Sequence, residues 1–152
     1  MRKDSKLSRM LHVLLHMARE KKPFTSEQIS IMLDTNPVVV RRTMSGLKKA
    51  GFVHADKGPG GGWTLVQALE EISLFDIYQA VGEPTIFAIG NEQETPNCLV
   101  ELVVNKALNQ AMQEAQNILI QKLKSTNLSK LAQDFEYEWN LLGAETEKFI
   151  VH

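Results

Sequence analysis

Only one cysteine, Cys98, occurs in 152 residues. A single thiol excludes an intramolecular disulfide framework. It also leaves a cysteine-ligated iron–sulfur cluster without most of its ligands. No apolar run approaches the roughly 20 residues that a membrane-spanning helix requires. The charged start, Met1 to Leu11, lacks the apolar stretch of a signal peptide, and His12 and His16 interrupt the apolar positions beyond it. These absences predict a cytoplasmic protein that keeps its thiol reduced. Catalytic groupings are missing as well: no paired carboxylates, metal-binding triad or nucleophile elbow stands out. His12 and His16 have metal-ligand spacing, but no third ligand lies near them in sequence. Neither an enzyme nor a metal or cofactor site is expected.

Net charge is nearly absent too, at -1. That balance conceals two unlike halves. Residues 1–62 carry 12 Lys and Arg against 5 Asp and Glu, or +7; the remainder, with 5 against 13, is -8. A basic half joined to an acidic half fits a polyanionic partner on one side only.

What is present is organised around Thr35 to Leu65. Asn36 is a good helix cap, and Pro37 suits the first helical position, where its missing N–H is no loss. Val40, Met44 and Leu47 mark a buried stripe, while Arg41, Arg42, Ser45, Lys48 and Lys49 take most of the remaining face. Ala50-Gly51 ends the helix. Phe52 to Ala55 is β-prone, Lys57 to Gly62 is a glycine-rich tip, and Trp63 to Leu65 returns as a second strand. Upstream, Thr25 and Gln28 have the spacing of a capping box and open a helix that buries Ile29, Met32 and Leu33. Helix, three-residue turn, helix and hairpin make a winged helix-turn-helix. The expected DNA contacts are Thr25 and Ser26 from the first helix, and Asn36, Pro37, Val38, Val39, Arg41 and Arg42 from the second. Lys57, Gly58, Gly60 and Gly61 join them at the wing tip, where bare backbone N–H groups approach phosphate. An alternative for one of the two arginines is pairing with Glu27 or Asp34.

Three runs, Asn36 to Arg42, Leu47 to Gly51 and Lys57 to Trp63, resemble the Rrf family of bacterial winged helix-turn-helix transcription regulators, of the IscR, NsrR and CymR type. The likeness continues through Ile72-Ser73-Leu74-Phe75-Asp76-Ile77 to a cysteine-bearing segment and a long helix, covering nearly all of residues 1–135. It implies a homodimeric DNA-binding regulator, usually a repressor, with a sensor at the start of its dimer helix. Iron–sulfur members carry three cysteines there, whereas this chain has Cys98 alone. The resemblance therefore does not carry iron or nitric-oxide sensing across.

The rest of the chain fills in around this unit. Lys6 to Glu20 reads as a first helix with the apolar stripe Leu7, Leu11, Leu14 and Ala18, widened by Met10 and Met17. Ser73 and Asp76 form a second capping box, ahead of the core residues Leu74, Phe75, Ile77 and Tyr78. Residues 83–97 form an irregular linker or sensor loop, and Asn97 is placed to cap a long helix beginning at Cys98. Leu99, Leu102, Val103, Leu108, Ala111, Met112, Ala115, Ile118 and Leu119 recur mostly at spacings of three and four. A helix of about 25 residues would reach about 38 Å. One small domain cannot bury that length, so these residues are expected to pair with a second copy. A short helix started by Asn127 or Ser129 and running through Leu131 to Phe135 comes next, then an acidic tail, 136–152, too apolar for simple disorder. The expected fold is mainly α with a small β-wing. It divides into a DNA-binding domain 1–82, the linker 83–97, a dimerisation region 98–135 and the tail.

Two readings of Cys98 stand side by side. At a helix N-terminus the thiolate is favoured and reactive, which suits a redox sensor; nearby carboxylates oppose this, and free cysteine often serves plain packing. A small ligand or a protein partner are the other candidate effectors. The leading function is a homodimeric regulator, a repressor by resemblance, on a double-stranded DNA operator. The alternative is a winged-helix protein-interaction module without sequence-specific DNA binding, which would not need the basic helix and glycine wing.

Overall fold

In a computed structural model that describes residues 4–89 and 98–143, α1 (Lys6–Glu20) buries Met10, Val13, Leu14 and Met17. Leu7 and Leu11 flank that stripe and Ala18 is half-buried. The buried sector is thus rotated from the expected Leu7-Leu11-Leu14-Ala18 line. α1 is approached by α4, α6 and β2 together, and no single neighbour sets its inner face.

α2 (Ser26–Met32) and α3 (Pro37–Lys49) form the helix pair. The capping box is made: Gln28 N–H donates to Thr25 Oγ1 at 3.1 Å, and Thr25 N–H donates to Gln28 Oε1 at 2.9 Å. Asn36 Oδ1 accepts from Val38 N–H at 2.7 Å, directly ahead of Pro37. α3 ends in a Schellman closure, with Gly51 N–H on Lys48 O at 3.0 Å and Phe52 N–H on Leu47 O at 3.0 Å. Gly51 takes φ +86°, where a side chain would be strained.

The wing is β1 (Val53–Asp56) paired antiparallel with β2 (Gly62–Leu65), in the register Val53 to Leu65, His54 to Thr64, Ala55 to Trp63 and Asp56 to Gly62. Phe24 adds a bridge on the other edge of β2, exchanging backbone bonds with Trp63 at 3.1 and 2.8 Å. A single 3-10 turn, Leu69–Glu71, leads to α4 (Leu74–Ala80), whose Ser73–Asp76 capping box is also formed. α3 and α4 meet without a side chain between them: a Cβ added to Gly46 would lie 2.6 Å from Ala80 O.

α5 (Leu99–Ser125) has Cys98 at its N-cap position. The expected cap, Asn97, lies outside the described residues. α6 (Leu128–Leu142) is longer than expected: residues 136–142 are helix, not tail. Residues 144–152 lie outside the described range. The corner between α5 and α6 is fastened to the helix-turn-helix unit by backbone. Leu74 N–H donates to Thr126 O at 2.8 Å and Leu128 N–H to Ile72 O at 2.9 Å. Leu128 is fully buried in the same core as Val40, Met44, Leu47, Trp63 and Ile77. The expected boundary between a DNA-binding and a dimerisation region is therefore not a boundary between cores.

Candidate nucleic-acid interface

The first turns of α3 present their outer face to solvent. Val38 is 56% exposed and Val39 48%, while Val40 behind them is 1% exposed. Two exposed valines at a helix start gain nothing from folding; they suit contact with thymine methyl groups. Arg41 and Arg42 come next, both exposed. Arg41 Nη1 reaches Glu27 Oε1 at 3.2 Å, which is the alternative expected for one of the two arginines. Both groups of that pair are more than half exposed, so it is worth about 0.2–1 kcal/mol. A phosphate or guanine can displace so weak a partner. The Arg42 side chain makes no ion pair or hydrogen bond with any of the described residues.

Not every expected contact faces outward. Ser26 is buried, and its hydroxyl accepts from Trp63 Nε1 at 3.0 Å. Its side chain therefore joins the wing to α2 and does not belong to the outer surface. Thr25 and Asn36 spend their side-chain oxygens on their own helix N-termini. What remains of Thr25 for a ligand is its half-exposed edge. The Trp63–Ser26 bond and the Phe24 bridge are invisible in the sequence. Gly46 leaves a signal there: a glycine inside a helix that otherwise suits alanine.

The wing tip owes its shape to glycine. Gly58 and Gly60 take φ of +84° and +75° with open space around them. Gly61 packs tightly: a Cβ there would come within 2.5 Å of Asp56 O. Lys57, Gly58, Pro59 and Gly60 are exposed, at one end of the hairpin. Lys57 at the wing tip, Arg41 and Arg42, and the C-terminal Lys48 and Lys49 of α3 are all exposed and positively charged.

Two other predicted features are placed. Cys98 is exposed, and the backbone N–H groups of Glu101 and Val100 hold its thiol below the usual thiol pKa. Along α5, no residue is buried, although Leu99, Val100, Leu102, Val103, Val104, Leu108, Ile118 and Leu119 are all large and apolar. Of the expected pairing residues, Ala111 and Ala115 are exposed and Met112 is half-buried. Val100 and Val104 extend the apolar surface beyond that set.

Comparisons with known proteins agree with this geometry. A profile of the Rrf2 family, described as iron-dependent transcriptional regulator, matches residues 4–134. YwnA of Bacillus subtilis, named as an HTH-type transcriptional regulator, is 33% identical over 126 residues, 82% of this chain and 92% of its own. A crystal structure described as a DNA-binding protein is 31% identical, covers 84% of this chain and 98% of its own, and superposes with a TM-score of 0.64. The fold is also that of CymR, the global cysteine regulator of Bacillus subtilis, at 21% identity, TM-score 0.63, and coverage of 88% and 97%.

Proposed function

The chain belongs to the Rrf2 family of transcriptional regulators, and from that premise we propose that it acts as a homodimer that grips a pseudo-palindromic operator and represses the adjacent gene. The family is one of DNA-binding regulators and not of enzymes. The observation that carries the proposal is α5. A 27-residue helix that α4 touches has no buried residue and leaves eight large apolar residues more than a third exposed. Pairing two such helices removes that surface from water, at roughly 25 cal/mol per Å² buried. The pairing would hold two α3 helices for successive major grooves, about 34 Å apart, with the wings on flanking phosphates. Arg42, Val38 and Val39 are the proposed base-reading residues. Asn36, Pro37, Arg41, Lys57, Gly58, Gly60 and Gly61 are the proposed positioning contacts, with Thr25 at the edge.

The family description speaks of iron. The donor set does not fit a cysteine-ligated cluster: Cys98 is the only thiol of the chain. Among the described residues no three of His, Cys, Asp and Glu gather at one point. The finer reading is a signal at the start of α5, supported by the exposed thiol of Cys98 and its lowered pKa. Among the described residues no helix is long and apolar enough to cross a membrane.

The test is fluorescence anisotropy on the DNA immediately upstream of the protein's own gene. Reduced protein, peroxide-treated protein and Cys98→Ser are compared. Tight, salt-sensitive binding by the reduced protein is expected, because each phosphate neutralised releases counterions. Oxidation should weaken it only while Cys98 is present. Sedimentation of Val103→Glu should give a monomer that binds DNA poorly. A dimer with unchanged affinity would remove α5 from the interface, and binding indifferent to sequence would favour the interaction-module reading.

A further inference from the structure

Between α1 and α6 lies a cavity of about 410 Å³ that the DNA-binding reading does not use. That volume is in the range of small-ligand pockets. Its floor is apolar: Leu15 and Ala18 from α1, Leu69 from the 3-10 turn, and Ala132 and Phe135 from α6. Its mouth is mostly cationic, with Arg19 and Lys21 beside the two histidines of α1, against the single carboxylate of Glu136. Glu20, the other acid nearby, is taken by the Lys22 ammonium.

Arg19 is the distinctive group. Its guanidinium lies 5.0 Å from the Phe135 ring centre and 5.1 Å from that of Trp139. The rings hold the fork in place, yet its N–H groups make no hydrogen bond or ion pair with any of the described residues. A preorganised fork above an apolar floor is built to take a carboxylate or similar anion bidentately. The apolar lining, with the Phe135 ring in it, suits an aromatic or planar body beside that anion. Position adds a role. α1 belongs to the helix-turn-helix unit, and α6 comes after the α5 corner, so a ligand between them touches both parts that the chain must keep in register.

We propose that this cavity is an effector site for a small organic anion with a planar apolar body, held by Arg19 over Ala132 and Phe135, and that its occupation changes DNA affinity. The second half rests on the proposed operator binding; the first does not. The probe is 2-naphthoate, titrated calorimetrically into the full chain beside its neutral analogue 2-naphthalenemethanol. Saturable binding of one naphthoate per chain is expected, at least about tenfold tighter than the neutral analogue, or about 1.4 kcal/mol. Arg19→Gln should erase that preference. Ala132→Trp should fill the cavity and abolish binding, with its thermal melt confirming a folded protein. Absence of saturable heat, equal affinity for the neutral analogue, or undiminished naphthoate binding in Arg19→Gln would overturn the site. Anisotropy on the upstream DNA then reads the coupling. Saturating naphthoate should shift operator affinity at least about fivefold in wild type and not in Arg19→Gln. Naphthoate binding without that shift overturns the effector role and leaves the site. A chain that binds no DNA in either state overturns the operator reading and the coupling together, while the heats still decide the site.

Discussion

Trp63 in the wing and Ser26 at the start of α2 are 37 residues apart in sequence, yet the indole Nε1 donates to the seryl Oγ at 3.0 Å and both side chains are buried. That bond, with the Phe24 bridge on the strand edge, fixes the angle at which the hairpin leaves the helix pair. Ser26→Ala would leave a buried indole N–H without an acceptor, at a cost of about 1–3 kcal/mol. The expected outcome is a melting temperature lower by several degrees, at about 2–4 °C per kcal/mol for a chain of this size. An unchanged melt would show that the bond contributes nothing net.

Gly46→Ala should destabilise the protein even though alanine is the better helix former by about 1 kcal/mol. The added methyl meets Ala80 O at 2.6 Å, and a backbone carbonyl cannot rotate away. Overpacking of this kind costs about 1–3 kcal/mol, so the net change is a loss of roughly 0–2 kcal/mol by urea unfolding. A more stable variant would mean that α3 and α4 separate freely.

Arg41 and Arg42 should differ in a measurable way. Arg41 has a partner in Glu27 when DNA is absent, whereas Arg42 has none among the described residues. Arg42→Ala is expected to lose about 1–3 kcal/mol of operator binding and to relax sequence preference. Arg41→Ala should weaken all sequences alike and flatten the salt dependence. Glu27→Gln, which frees Arg41, should leave stability within about 0.5 kcal/mol and raise DNA affinity slightly. Anisotropy at several salt concentrations checks the binding of all three, and a urea melt checks the stability of the last.

Cys98 should alkylate faster than an ordinary thiol at neutral pH. The N–H groups of Glu101 and Val100 favour its thiolate, so the folded-state pKa lies below that of the unfolded chain. The thiolate is thus stabilised in the fold above the unfolded thiol's pKa, and that gain is lost as pH falls through the lowered value. The residue is exposed, so reactivity is the informative readout. The pH midpoint of iodoacetamide labelling should fall below that of the same protein in urea. Coincident midpoints would remove the helix-terminus effect.

Much of this arrangement is legible in the sequence because its causes are local. Both capping boxes, Asn36 with Pro37, and the Gly51 closure are rules about neighbours three or four residues apart, and each appears where the spacing puts it. The buried stripe of α3, Val40-Met44-Leu47, comes from helical period alone. What stays hidden depends on distant partners. Ser26 reads as a surface residue because nothing near it in sequence reveals Trp63. Residues 136–142 read as the start of an acidic tail because Glu136 and Glu138 group with Glu145 and Glu147 further on. Their helix is held by Phe135 and Trp139, an i, i+4 pair that meets Arg19 of α1. The rotation of the α1 stripe has the same origin: three elements press on that helix at once.

One route from α5 to α3 runs through backbone contacts. Thr126 O binds Leu74 N–H at the start of α4, and Ala80 O at its end lies against Gly46 of α3. Side chains can rotate to absorb a strain; these contacts cannot. In a dimer built on α5, the two recognition helices would therefore behave like the jaws of a caliper locked at one opening. Half-sites moved by one base pair, about 3.4 Å along the duplex, would have to be met by bending or twisting the DNA. Spacing between half-sites, and not only their letters, would then be something such a dimer measures.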